Sequence, residues 1–148
     1  MQRLLPILFA ATLVAQAPMP EEAARKAILA TALDYIEGWY DGDVARMERA
    51  LHPDLAKRAV RPTPEGKTQL DHMGAAKLIA FTRAAYGKQT PKDKQRKEVQ
   101  ILDVYGNAAT VKVIATDWVD YLHLAHLGGK WVIVNVLWEL NPRPTKQN

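Results

Sequence analysis

Between Lys97 and Val99 the apolar periodicity of this chain changes from about 3.6 residues to 2, which confines it to helices first and an antiparallel sheet afterwards. Upstream, Ile28, Leu29, Ala32, Leu33, Ile36, Trp39 and Tyr40 share one arc of a helix predicted from Pro20 to Tyr40, with Asp34 and Glu37 opposite and Tyr35 at the stripe's edge. Glu21 and Glu22 suit its positive N-terminal end, and Gly38 with Asp41-Gly42 supplies the stop. Asp43 caps a second helix, Val44 to Leu51, which ends at His52-Pro53 because proline disfavours helix in the residue before it. His52 is thereby left at a bend. Residues 54 to 61 read as a short strand or as irregular chain, and Pro62 to Lys67 as a loop. A third helix spans Met73 to Tyr86, with Leu78, Ile79, Phe81, Thr82, Ala85 and Tyr86 on one face, and Gly87 ends it.

Four strands follow: Val99 to Tyr105, Thr110 to Trp118, Val119 to Leu127 and Trp131 to Leu140. Gly106-Asn107 and Gly128-Gly129 are turn dipeptides of tight hairpins, whereas the junction near Trp118 to Asp120 has neither Gly nor Pro and reads as a bulge or bend. The last strand alternates Val132, Val134, Val136, Trp138 and Leu140 with Trp131, Ile133, Asn135, Leu137 and Glu139, so both faces are largely apolar. One helix layer covers only one of them, and a second copy of the chain is the predicted cover for the other. The predicted class is α+β: three N-terminal helices on a strongly curved, mostly antiparallel sheet that curls into a cone around a cavity.

With 148 residues and 48% apolar content the chain suits one domain, placed at residues 18 to 141 and followed by a loose tail at 142 to 148. Met1-Gln2-Arg3, the apolar run Leu4 to Ala15 and the small residues of Ala15-Gln16-Ala17 read as an export signal over residues 1 to 17. Pro18 would follow a cut after Ala17, so a cut after Ala15 is the alternative. The run is interrupted by Pro6 and falls short of the roughly 20 residues that span a bilayer, so no stable membrane insertion is expected after cleavage. The expected destination is the periplasm or the surrounding medium.

Removing residues 1 to 17 takes only Arg3 from the basic residues, leaving 19 against 16 acidic ones, a net charge of +3. The excess gathers in Lys88 to Lys97, where Pro91 and Asp93 interrupt it and no aromatic residue is interleaved, so it reads as a solvated loop and not as a nucleic-acid surface. The absence of cysteine excludes disulfides, thiolate metal sites and a cysteine nucleophile. His52, His72, His123 and His126 have no ligand spacing, and the phosphate-loop, dinucleotide and nucleophile-elbow signatures are missing, so neither metal nor cofactor is expected.

Tyr35-Ile36-Glu37-Gly38-Trp39-Tyr40-Asp41-Gly42-Asp43, Ala50-Leu51-His52-Pro53-Asp54, the run Asp117 to Leu124, and Gly129-Lys130-Trp131 through Leu137-Trp138-Glu139 together resemble the nuclear transport factor 2-like cone fold. Within it they resemble most the exported bacterial group labelled putative lumazine-binding. The resemblance implies the cone but no single reaction, because this scaffold carries isomerases, dehydratases, cyclases, epoxide hydrolases and non-catalytic binders. Set against the ketosteroid isomerases, Gly42-Asp43 matches a similar Gly-Asp, Tyr35 a hydrogen-bonding tyrosine and Leu137-Trp138-Glu139 a Trp-containing strand end. Their general-base aspartate would fall near Arg58-Ala59-Val60, which offers no carboxylate.

The cavity of such a cone lies between the first helix, the bend after the second and the concave sheet face, and the candidates come from there. Trp39 and Trp138 are flat walls for a ligand or plain core; Tyr35 offers its hydroxyl to a ligand or to a backbone carbonyl. His52 would stand at the cavity mouth as acid, base or donor, or else bond helix-end carbonyls. Asp117 shares the strand face of Val111, Val113 and Ala115, where a carboxylate needs a raised pKa or a partner such as Arg58. Arg58 and Tyr121 complete the predicted ligand-binding set. The leading expectation is an exported homodimer that binds a small apolar or aromatic molecule without catalysis. One alternative is an isomerase, dehydratase or cyclase with Asp117 or His52 as general base and Tyr35 stabilising negative charge. Another is an interaction module that uses Trp131, Ile133 and Leu137 on the outer sheet face.

Overall fold

The computed structural model describes residues 21–142, so the predicted export segment and the tail beyond Pro142 lie outside the described residues. Helices α1 (Glu21–Asp41) and α2 (Val44–Ala50) lead into strands β1 (Leu51–Pro62) and β2 (Thr68–Met73), followed by α3 (Ala75–Arg83). Strands β3 (Lys97–Tyr105), β4 (Ala108–Ala115), β5 (Trp118–Leu127) and β6 (Lys130–Leu140) follow. They form one six-stranded sheet in the order β2-β1-β6-β5-β4-β3, antiparallel except where β1 runs parallel to β6. The sheet is open and curved and the three helices pack on its inner face, which is the predicted α+β class.

The stretch that reads as strand or irregular chain is strand β1, and the loop after it is followed by an unpredicted strand, β2. Its residues Thr68 to His72 are all exposed, so no apolar alternation marks them; only pairing with β1 makes them a strand. Helix α3 accordingly starts at Ala75 and not at Met73, and stops at Arg83, shortly before Ala85 turns left-handed with φ 60°. His52-Pro53 is not a bend between elements but the start of β1, where four residues bulge out between the pairs Leu51–Ile133 and Ala56–Asn135. Proline fits a bulge because its missing N–H costs the ladder nothing there.

Helix α1 buries Ile28, Ala32, Tyr35, Ile36 and Tyr40; relative to the predicted stripe Tyr35 moves in, and Leu29, at 39% exposure, moves out. Asp43 caps α2, its carboxylate accepting the N–H of Arg46 at 3.1 Å. The Arg46 guanidinium bonds Asp34 at 2.7 Å and Glu37 as well, which clamps α2 onto α1. Gly87, in the turn after α3, lies so close to Trp39 that a β-carbon would collide with its carbonyl group. The Tyr40 hydroxyl accepts the N–H of Thr116 at 3.1 Å, tying the end of α1 to the β4–β5 connection.

A bulge divides the inner face of the sheet. Ile133 pairs with Leu124 but Asn135 with His123, so Val134 is an extra residue and side-chain parity inverts across it. Trp131 and Ile133 before the bulge, and Val136 and Trp138 after it, therefore all face the helices. This corrects the predicted division of the last strand: Trp131 and Ile133 are buried core and offer nothing to a partner. The outer face retains Leu137 and Tyr121 as exposed apolar groups, beside a polar chain in which Arg58 donates to Asn135 at 3.1 Å and Asn135 meets His123 at 3.1 Å.

Candidate functional site

A cavity of about 350 Å³ opens between α1, α2 and α3 and the inner face of β1, β6 and β5. Its walls are mostly apolar and carry four large aromatic rings besides Tyr35. Trp39 comes from α1, Phe81 from α3, Trp118 from the start of β5 and Trp138 from β6. Trp39 and Trp118 meet edge to face with centroids 6.3 Å apart, which holds two faces of the chamber at right angles. Leu78 of α3 and Met47 of α2 close the apolar floor, Met47 being fully buried.

One side of the chamber carries charge. Lys57, on β1, donates from Nζ to the Tyr35 hydroxyl and to the Asp120 carboxylate, both at 2.7 Å, and Asp120 also accepts the Trp118 indole N–H at 2.6 Å. Lys57 is 5% exposed and Asp120 not exposed at all. A buried ion pair persists when its remaining hydrogen-bonding capacity is met, and here two neutral donors and acceptors, Tyr35 and Trp118, flank it. Burial pushes the Lys57 ammonium below its ordinary range, with the Asp120 charge opposing that shift. Burial, and then the Asp120 carboxylate, pushes the Tyr35 phenol well above 10. Tyr35 is thus a neutral hydroxyl, and Asp120 is occupied by two donors and sealed from any ligand.

Ala59 of β1 stands directly opposite Trp138. Its small side chain leaves room for Lys57 and Arg61, two residues to either side on the same face, to lean on the indole. Lys57 Nζ lies 4.9 Å and Arg61 Cζ 4.7 Å from the Trp138 ring centroid, a pair of cation–π contacts each of about 0.5–2 kcal/mol.

Of the residues singled out from the sequence, Tyr35, Trp39, Trp138 and Asp117 line this cavity. Asp117 does so from a bend between β4 and β5, exposed at the rim, and not from the apolar strand face on which alternation put it. The other three lie elsewhere. His52 folds back on the β1 bulge, where Nδ1 accepts the N–H of Asp54 at 3.1 Å, and it is absent from the cavity wall. Arg58 and Tyr121 point to the outer face of the sheet, Arg58 toward Asn135 and not toward Asp117. In both cases the inward residue is the next one along: Lys57 beside Arg58, Asp120 beside Tyr121. The signal was available, since Asp120 shares alternation with Leu122 and Leu124, and Lys57 with Leu55 and Ala59.

A family described as putative lumazine-binding matches residues 23–139, most of the chain. The protein belongs to that family. This family member is similar in structure to an NTF2-like protein of unknown function from Shewanella baltica OS155, with a TM-score of 0.68, 19% sequence identity, and 84% of this chain and 99% of that one covered. It is also similar to an NTF2-like protein of unknown function from Methylobacillus flagellatus KT, with a TM-score of 0.64 at 19% identity over 86% and 100% of the two chains. An NTF2-like protein from Silicibacter pomeroyi DSS-3, again of unknown function, gives 0.63 at 18% identity over 83% and 100%. At this identity the likeness speaks for the fold alone. No curated protein matches the family member in hand.

Proposed function

We propose that the protein is exported and, as a homodimer, holds a small flat aromatic molecule in the chamber between Trp39, Trp118 and Trp138 without transforming it. The observation that carries this reading is the chamber itself: about 350 Å³, walled by three indoles and Phe81, with Lys57 already paired to Asp120 and Tyr35. The description of the family, lumazine-binding, favours a ring of this kind. Neither Asp120 nor Tyr35 is free to act as a general base: Asp120 accepts from Lys57 and Trp118, and the Tyr35 phenol holds its proton. Asp117 is the remaining carboxylate on the cavity wall, and the catalytic alternative rests on it alone. Export is supported by the pattern of Met1 to Ala17, and self-association by the apolar groups Tyr121 and Leu137 on the outer face.

Native mass spectrometry of the mature protein from its own host tests the three parts together. The expected species is a dimer, shortened at its N-terminus, with an additional mass that absorbs in the near ultraviolet. A protein that retains nothing, and whose tryptophan fluorescence responds to no member of a panel of planar aromatic compounds, would sink the binding reading. A monomer would remove the dimer, and an intact N-terminus the export.

A further inference from the structure

Beside the aromatic chamber lies a second cavity of about 380 Å³, between β1, β2 and the start of α3. The two share Lys57, Arg61, Met73 and Trp138, so Trp138 and the two cations leaning on it form a common wall. The second cavity differs in chemistry: Lys77 joins Lys57 and Arg61 on its lining, and Asp71 is the carboxylate set against them. The Arg61 guanidinium is only loosely engaged by that carboxylate, at 3.6 Å, and makes no side-chain hydrogen bond among the described residues. Its planar fork of donors is therefore available, and a guanidinium suits a carboxylate through two parallel hydrogen bonds. Lys77 Nζ sits 5.7 Å from the Phe81 ring centroid, which places a second cation at the boundary of the two cavities.

We propose that the ligand is an aromatic carboxylic acid, its ring in the tryptophan chamber and its carboxylate passing Trp138 to meet Arg61 and Lys77. This rests on the ring-binding reading above and adds the charge of the ligand to it. Lys57 stays bound to Asp120, so its charge is already balanced, and Arg61 and Lys77 are the groups that distinguish an acid from a neutral ring of the same shape. Arg61 also fixes where the acid points, because its contact with Trp138 limits the guanidinium to the shared wall.

Isothermal titration calorimetry with a matched pair of probes, 2-naphthoate and 2-naphthamide, tests the proposal on the full-length mature protein. The acid is expected to bind at least about tenfold more tightly than the amide, a difference of about 1.4 kcal/mol. Arg61→Gln and Lys77→Gln should each shrink that preference by weakening the acid more than the amide, and Arg61→Lys should keep part of it. Lys77 is exposed on α3, so Lys77→Gln keeps the test decisive should Arg61→Gln fail to fold. Equal affinities for the two probes overturn the proposal and leave the ring-binding reading standing. Binding of neither probe overturns both. A loss of equal size for acid and amide in the glutamine variants also overturns it, since these residues would then shape the cavity without reading charge.

Discussion

Strands β5 and β6 build two different interiors along one face. At one end, Leu122, Leu124, Trp131, Ile133 and Val136 are buried against α1 in a close-packed apolar core. At the other, Asp120 pairs across the ladder with Trp138, and the same two strands present an ion pair and an open aromatic chamber. The boundary falls between neighbouring cross-strand pairs, Leu122–Val136 and Asp120–Trp138. A core end gains stability from filling space, whereas a cavity end must leave space and therefore needs stiff walls: indoles set at right angles, and a lysine pinned by two partners. The difference teaches that buried charge sits in this fold where packing stops, and that it holds the walls in place.

Three changes would break or sharpen that contrast. The largest effect is expected at the cavity end: Lys57→Met leaves Asp120 buried without its counter-ion and should lower stability to urea by about 3–5 kcal/mol. The double variant Lys57→Met with Asp120→Leu should recover most of that loss, since an apolar pair of similar size is close to neutral in such positions. A single variant as stable as the parent would show that the pair is not sealed as described. At the core end, Ile133→Ala should cost about 2–5 kcal/mol while leaving affinity for a planar aromatic probe unchanged. Affinity lost with the fold intact would mean that the two ends act as one unit. The smallest effect is a pH dependence. The folded protein keeps the Tyr35 proton at pH values where the unfolded chain releases it, so stability should fall as pH rises above 10, by about 1.4 kcal/mol per unit. Lys57 acts with the opposite sign: its lowered pKa makes the unfolded chain the better proton binder up to 10.5, so its contribution rises with pH over that range. Urea midpoints between pH 8 and 11, in the parent and in Tyr35→Phe, separate the two, and an alkaline decline that survives the substitution would assign it to another group.

The legible parts of the molecule were those with a long, regular period. Most of the stripe of α1, the cap at Asp43, and the hairpin turns at Gly106-Asn107 and Gly128-Gly129 follow from local rules, and the structure has them, whereas α3 stops at Arg83, before the predicted stop at Gly87. The site was half legible. Tyr35, Trp39 and Trp138 are on the cavity wall, while Arg58 and Tyr121 each missed it by one residue, because a strand alternates and an error of one reverses the face. Asp117 was carried onto the apolar face by extending β4 through a bend at Thr116 and Asp117. Trp131 and Ile133 were sent outward by alternation that ignores the bulge at Val134.

What the sequence determines by itself is the order helices first and antiparallel strands afterwards, with the apolar face of each regular stretch, since these depend on contacts a few residues apart. The partnership of Lys57 with Asp120, the strand character of β2 and the inversion at Val134 were decided only in the tertiary structure. The ion pair joins residues 63 apart in the chain, and β2 is a strand because β1 supplies its hydrogen bonds. Local period has no term for either, because each exists only once the sheet has set its register.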